Sequence, residues 1–78
     1  MPRYRFHLYN DIETQDLEGR LFPDLEAARS DAIRSARAVM ASEMTSKGEI
    51  TLSHWIEIET DEGDMHIVTF GDALEIHP

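Results

Sequence analysis

The chain has 78 residues, no cysteine and a formal net charge of −9 at pH 7. A chain of this length holds one hydrophobic core, so residues 1–78 are expected to form a single domain. Without cysteine it has neither disulfides nor cysteine-based zinc sites. Residues 40–78 carry one Lys against nine Asp or Glu. Because nucleic-acid affinity rests largely on Lys and Arg contacts to phosphates, nucleic acid is not an expected partner, whereas a basic protein would be compatible.

No segment of the sequence has the pattern of a targeting or membrane-spanning element. Arg3 and Arg5 are not followed by the long apolar run of a secretory signal. No stretch approaches the roughly 20 apolar residues that cross a bilayer, so membrane binding is not expected. Together with the lack of cysteine, this favours a cytoplasmic protein.

The first half of the chain predicts two strands. Residues 3–9 alternate strictly, which is typical of a half-buried strand. The core side carries Tyr4, Phe6 and Leu8, and the other side carries Arg3, Arg5, His7 and Tyr9. Residues 10–16 form a polar connection, and residues 17–22 predict a second strand that ends at Pro23. Because proline donates no backbone hydrogen bond, this strand is expected to be short and at an edge.

One long amphipathic helix follows. Asp24 suits the N-cap, and an apolar stripe at helical spacing runs to about Gly48, which suits the αL position after the helix. The stripe consists of Leu25, Ala28, Ala32, Ala36, Val39 and Met40. Its alanines would let the helix lie close to a sheet. The opposite face carries Arg29, Arg34 and Arg37 with Asp31 nearby, which indicates a solvated face with local ion pairs.

The second half predicts two further strands joined by a turn. Residues 54–60 alternate, with Ile56 and Ile58 on the core side, and this strand is allowed to begin as early as residue 50. Residues 61–64 form a turn that uses Gly63, and residues 65–70 form the last strand, with Val68 and Phe70 facing the core. The fold class is therefore α+β, in the order β-β-α-β-β, with a small antiparallel or mixed sheet and the helix on one face.

A single helix covers only one face of such a sheet. We call the other side the outer face; it would carry Arg3, Arg5, His7, Tyr9, Trp55, Glu57 and Glu59. Aromatic residues and Arg are enriched in protein interfaces, so the candidate interface residues are Arg3, Arg5, His7, Tyr9, Trp55 and Glu57. The alternative is that Trp55 is covered by the C-terminal tail through Leu74 and Ile76.

Three stretches resemble one family of short bacterial proteins, domain of unknown function 6894. They are the opening Pro2-Arg3-Tyr4-Arg5-Phe6-His7-Leu8, the central Pro23-Asp24-Leu25-Glu26-Ala27-Ala28-Arg29 with its preceding Gly19-Arg20-Leu21-Phe22, and the ending from Ile56 to Phe70. The resemblance covers nearly the whole chain, and its central stretch is the most specific part. It implies a stand-alone bacterial domain and carries no activity, cofactor or catalytic residue with it.

Apart from one carboxylate pair, the histidines, acidic residues and serines of this chain do not have the spacing of catalytic or metal-binding sites. The four histidines lack metal-ligand spacing, the acidic run 59–64 does not follow a calcium loop, and no serine lies in a nucleophile elbow. Glu57 and Glu59 lie roughly 6.6 Å apart along one strand face, a carboxylate spacing that glycosidases use. Charged residues on an exposed strand more often keep a sheet soluble. We therefore predict no catalytic, cofactor-binding or metal-binding residue and no cofactor.

The sequence thus favours a non-enzymatic protein-interaction or accessory domain, with a homodimer through the outer face or an edge strand as one form. The alternative is a small-molecule or metal-binding domain that uses His7, Trp55 and Glu57, which requires a pocket where they converge. An enzyme requires that strand register bring a histidine beside Glu57 or Glu59 in a cleft.

Overall fold

The structure, a computed structural model, describes residues 1–78 and confirms the α+β class. One helix packs on one face of an antiparallel sheet. In chain order the elements are β1 (Arg3–Tyr9), β2 (Glu13–Thr14), β3 (Arg20–Leu21), α1 (Leu25–Lys47), β4 (Trp55–Thr60), β5 (Met65–Thr69) and a 3₁₀ turn (Gly71–Ala73). The strand order is β2-β1-β4-β5, and β3 also pairs with β1.

The helix begins and ends where the sequence predicts. The Asp24 side chain accepts a hydrogen bond from the Ala27 N–H at 2.8 Å, an N-cap worth about 1 kcal/mol. Gly48 adopts φ 71°, and its N–H donates to the Met44 carbonyl at 3.0 Å. Side chains are rarely compatible with this left-handed backbone, so glycine is the natural residue after the last turn.

The core lies between the alanine stripe of α1 and the centre of the sheet. Ala28, Ala32 and Ala36 are fully buried, and Ile58, Val68 and Phe70 are the largest fully buried side chains. Alanine adds little bulk between helix axis and sheet, so these large sheet residues fill the space without a void. The predicted core sides of β1, β4 and β5 are confirmed.

The second predicted strand is where the structure departs most from the sequence reading. Residues 17–22 are strand only at Arg20–Leu21, and the predicted connection contains the short strand Glu13–Thr14. Both pieces pair with the same edge of β1: Thr14 lies opposite Leu8, and Arg20 lies opposite Tyr4. Two residues are too few to show a period of two, so alternation does not reveal either piece. Residues 15–19 span the gap between them.

Two smaller details also differ. Residues 50–54 are not strand, so β4 begins at Trp55 rather than directly after α1. The C-terminal tail packs on the helix side: the Arg37 guanidinium donates from Nε to the Ala73 carbonyl at 2.7 Å, and Leu74 packs against the core. Ile76 stays 72% exposed. The tail therefore does not cover Trp55 on the outer face, which was the alternative to an open interface there.

Candidate functional site

The outer face is a regular grid, because β1, β4 and β5 pair in register. Its three rows are Arg5–Glu59–Met65, His7–Glu57–Ile67 and Tyr9–Trp55–Thr69. Outer-face residues of β1 therefore lie directly opposite outer-face residues of β4. The face contains no cavity or cleft, and no histidine, carboxylate or other ligand residues gather into a group of three that would hold a metal ion.

Residues 15–19 fold over one end of the outer face and use its arginines. The Arg3 guanidinium donates from Nη1 to the Glu18 carbonyl at 2.8 Å, and Arg5 donates from Nε to the Leu17 carbonyl at 3.5 Å. A guanidinium is a donor only, and here one nitrogen of each arginine donates to a backbone oxygen of the same chain. These two arginines therefore hold the loop, although the sequence placed them on an open face.

Asp16 closes the gap between β2 and β3. Its Oδ2 accepts from the Phe6 N–H at 3.1 Å, and its Oδ1 accepts from the N–H groups of Glu18 at 3.2 Å and Gly19 at 3.0 Å. The side chain thus takes the place of a strand residue opposite Phe6. Burial raises the pKa of Asp16, but these three backbone hydrogen bonds outweigh it and lower the pKa below its usual value.

His7 is buried under this loop and is 5% exposed. Its Nδ1 accepts from the Asp16 backbone N–H at 3.1 Å, and its Nε2 lies 2.8 Å from Glu59 Oε1. A backbone amide only donates, so Nδ1 carries no proton and Nε2–H donates to Glu59. The register does bring a histidine beside a carboxylate, as the enzyme hypothesis requires. Both ring nitrogens are nevertheless occupied within the chain, and no cleft opens beside them.

Tyr9 and Trp55 cover one another at the other end of the grid. Their rings stack with centroids 4.9 Å apart and an interplanar angle of 11°. The indole Nε1 is buried and has no hydrogen-bond partner. Trp55 is therefore half-buried by an aromatic neighbour. Neither alternative drawn from the sequence, an exposed Trp55 or a Trp55 covered by the tail, included this contact with Tyr9.

The part of the outer face that stays open lies on β4 and β5. Met65 is 49% exposed and Ile67 is 46% exposed. Glu57, between His7 and Ile67, is half-buried and takes part in no ion pair or hydrogen bond. Exposed apolar side chains therefore lie beside a carboxylate that has no partner within the chain.

β5 also leaves one edge of the sheet unpaired. The Phe70 N–H donates to the His54 carbonyl and the Thr60 N–H donates to the Asp64 carbonyl. Hydrogen bonding alternates along an antiparallel pair, so the N–H and C=O groups of Met65 and Ile67 point away from β4. The sheet ends at β5, and these groups have no partner in the chain.

The far end of this edge is closed. Thr69 and Asp72 exchange hydrogen bonds, from the Thr69 N–H to Asp72 Oδ2 at 3.0 Å and from the Asp72 N–H to Thr69 Oγ1 at 3.1 Å. The hydrogen bond from the Thr69 N–H, together with one from the Thr69 side chain, holds the pKa of the Asp72 carboxyl below its usual value. The open stretch of the edge is therefore centred on Met65 and Ile67.

Comparison with known protein families identifies the family of this chain. The model of DUF6894, a domain of unknown function, matches residues 3–71. The chain belongs to this family. The match includes β1 to β5 and thus every residue of the outer face. No curated protein and no solved structure matches the chain.

A second histidine of this DUF6894 domain lies outside the three rows of the outer face. His54 packs edge-on against Phe70 and lies 3.8 Å from Asp11, whose other oxygen accepts from Lys47 at 2.8 Å. That ion pair ties the end of β1 to the end of α1, and the neighbouring Lys47 lowers the pKa of Asp11. No helix of the domain has the apolar length needed to cross a membrane.

Of the six candidate interface residues, the structure leaves two with open neighbours. Arg3, Arg5 and His7 are engaged by the loop, and Tyr9 is stacked on Trp55; Trp55 and Glu57 border the open part of the face. Met65 and Ile67 belong to this surface and were not among the six. Their parity was a usable signal, since residues that alternate with Val68 and Phe70 must point outward.

Proposed function

We propose that this domain is a non-enzymatic protein-interaction domain that binds an extended segment of another protein along the free edge of β5. One observation carries the proposal: Met65 and Ile67 combine exposed apolar side chains with unpaired backbone groups on a flat surface. Added strands bind in this way, with main-chain hydrogen bonds for affinity and alternate side chains for specificity. The two free residues offer up to four backbone hydrogen bonds to such a segment.

The contrast between the two edges of the sheet supports this proposal. The β1 edge is blocked by two short strands and by the Asp16 side chain. Proteins commonly protect an edge with Lys, Pro, a bulge or an inward-pointing charge. β5 reads Met-His-Ile-Val-Thr and has no Lys, Pro or bulge. The side chains that point inward from it are His66 and Val68, so it has no inward-pointing Asp, Glu, Lys or Arg either. The edge is left open to pairing.

Pairing with a second copy is disfavoured by charge. Two β5 strands that pair antiparallel about Ile67 would place Asp72 of one copy at the same end of the ladder as Glu62 and Asp64 of the other. The same clash would recur at the opposite end, since such a pair is symmetric. Like charges in direct opposition destabilise a strand pair, and each copy carries a net charge of −9. A heterologous segment therefore fits better.

The cytoplasm is the proposed location, because the sequence has no cysteine and its stability rests on packing and hydrogen bonds alone. No specific observation favours the small-molecule or metal-binding alternative, since His7, Trp55 and Glu57 do not converge on a cavity.

The test is amide hydrogen exchange of the free domain and of the domain with a synthetic nine-residue peptide of alternating valine and threonine. We expect the Met65 and Ile67 amides to exchange rapidly in the free domain and to gain protection with the peptide. Ile67→Pro should abolish the gain, because it removes an outward-pointing N–H without touching the β4–β5 ladder. Ile67→Thr, which keeps the N–H, should retain it.

Circular dichroism confirms that both variants fold before exchange is compared. Protection that Ile67→Pro leaves unchanged, or that appears outside β5, would overturn the proposal. Light scattering over a concentration series checks self-association: a wild-type dimer that Ile67→Pro dissociates would assign the edge to a second copy instead.

A further inference from the structure

We infer that the bound segment carries an Arg or Lys whose cationic group contacts Glu57. This inference rests on the proposed function, because it specifies the partner of the same edge. Its starting point is that Glu57 is a half-buried carboxylate without a counter-ion. By contrast, Glu59 on the same strand has the His7 Nε2–H at 2.8 Å.

The two neighbours of Glu57 in its row explain why it lacks a counter-ion within the chain. On one side lies His7, whose Nδ1 accepts from the Asp16 N–H and whose Nε2–H is already taken by Glu59. On the other side lies Ile67, which is apolar. A carboxylate partly withdrawn from water with no cation beside it is unfavourable, and a cation supplied from outside would relieve that cost.

The register fixes where such a cation would come from. A strand added to β5 lies about 4.8 Å beyond it, so its residue opposite Ile67 continues the row of His7 and Glu57 about 10 Å from Glu57. Only a long side chain crosses that distance. The aliphatic stem of Arg or Lys would lie over Ile67 while the charged group reaches Glu57, an arrangement that suits such amphipathic side chains.

The charges at the ends of β5 favour the same partner. Glu62 and Asp64 are exposed at its start and Asp72 is exposed after its end, and residues 40–78 contain a single Lys against nine acidic residues. Lys47, that single Lys, is held by Asp11 at the far end of α1. The surroundings of the edge thus attract a basic segment and repel an acidic one.

The test uses two nine-residue peptides, one of alternating valine and arginine and one of alternating valine and glutamate. Affinity is followed by titration of Trp55 fluorescence, with amide exchange at Met65 and Ile67 to locate binding. We expect the arginine peptide to bind at β5 more tightly than the glutamate peptide. Glu57→Gln should weaken the arginine peptide about fivefold, as for a partly exposed ion pair.

Glu26→Gln is the matched control, since it removes the same charge from an exposed position in the first turn of α1. We expect this control to change the affinity less than twofold. If the arginine peptide binds β5 but Glu57→Gln and Glu26→Gln weaken it equally, the contact with Glu57 is wrong and the proposed function stands. If neither charged peptide nor the valine–threonine peptide protects Met65 and Ile67, the proposed function fails with it.

Discussion

Asp16 is the residue on which the loop of residues 15–19 depends, and its removal tests how the outer face is closed. Asp16→Ala leaves the N–H groups of Phe6, Glu18 and Gly19 without their acceptors. The N–H of Glu18 is exposed and water replaces the carboxylate, whereas those of Phe6 and Gly19 are part-buried. An unsatisfied buried donor costs about 1–3 kcal/mol, and a part-buried one falls in the lower half of that range, about 1–2 kcal/mol. For these two donors we therefore expect a loss of about 2–4 kcal/mol.

Asp16→Asn separates hydrogen bonding from charge. Its amide oxygen continues to accept from Glu18 and Gly19, but its NH₂ group faces the Phe6 N–H, and two donors repel. We expect a loss of about 1–2 kcal/mol. A domain of this size is stable by only about 4–12 kcal/mol, so each change is easily measured.

Urea unfolding followed by the fluorescence of Trp55 provides the free energies of unfolding. Asp61→Ala is the control: Asp61 Oδ2 accepts one hydrogen bond, from the exposed Arg3 N–H at 3.0 Å, so its loss should cost about 0.5 kcal/mol. If Asp16→Ala costs no more than Asp61→Ala, the side chain does not hold the loop on β1. Faster amide exchange at Phe6 in Asp16→Ala would confirm that the gap has opened.

Two further predictions follow from the same region. Gly19→Ala should cost several times as much as Gly48→Ala, measured by urea unfolding: both glycines have φ near 70°, but a Cβ at Gly19 would lie 2.7 Å from the Tyr4 carbonyl oxygen, whereas at Gly48 it meets nothing within 4 Å. Equal costs would show that the loop shifts away from β1 freely. Because the folded-state pKa values of Asp16 and Asp72 are lowered, their contribution is fully present above the unfolded value near 3.8 and is lost as pH falls through the folded values. The stability difference between wild type and Asp16→Asn should therefore shrink below pH 4, and a difference that stays constant down to pH 2 would contradict it.

The long, periodic elements of this fold were predictable from the sequence. The helix bounds follow from a side-chain cap at Asp24 and a glycine at residue 48, both local signals. The alternation of apolar and polar residues predicts which side chains of β1, β4 and β5 point toward the core. One face of the sheet packs against the helix, so a one-residue slip of a strand would turn all its core side chains outward. Once β1 and β4 are neighbours in the sheet, their register places Tyr9 opposite Trp55.

The closure of the outer face was not predictable, because it depends on contacts between residues distant in the chain. Asp16 bonds to a strand ten residues earlier, and His7 meets Glu59 across 52 residues. An isolated Asp in a polar connection has the same local pattern whether its side chain is solvated or replaces a strand partner. The alternation correctly put Arg3, Arg5 and His7 outside, and the folded loop then covered them.

The two edges of the sheet differ, and the proposed function rests on that difference. On the β1 side the chain uses residues 10–21 and three side-chain contacts to cover a strand of seven residues. On the β5 side it leaves Met65 and Ile67 open, at the risk of unwanted pairing that any bare edge carries. The acidic residues at both ends of β5 limit that risk by disfavouring a second copy of the same chain. In the proposed function, charge disfavours a second copy at this edge, while the open hydrogen bonds accept a basic segment of a different protein.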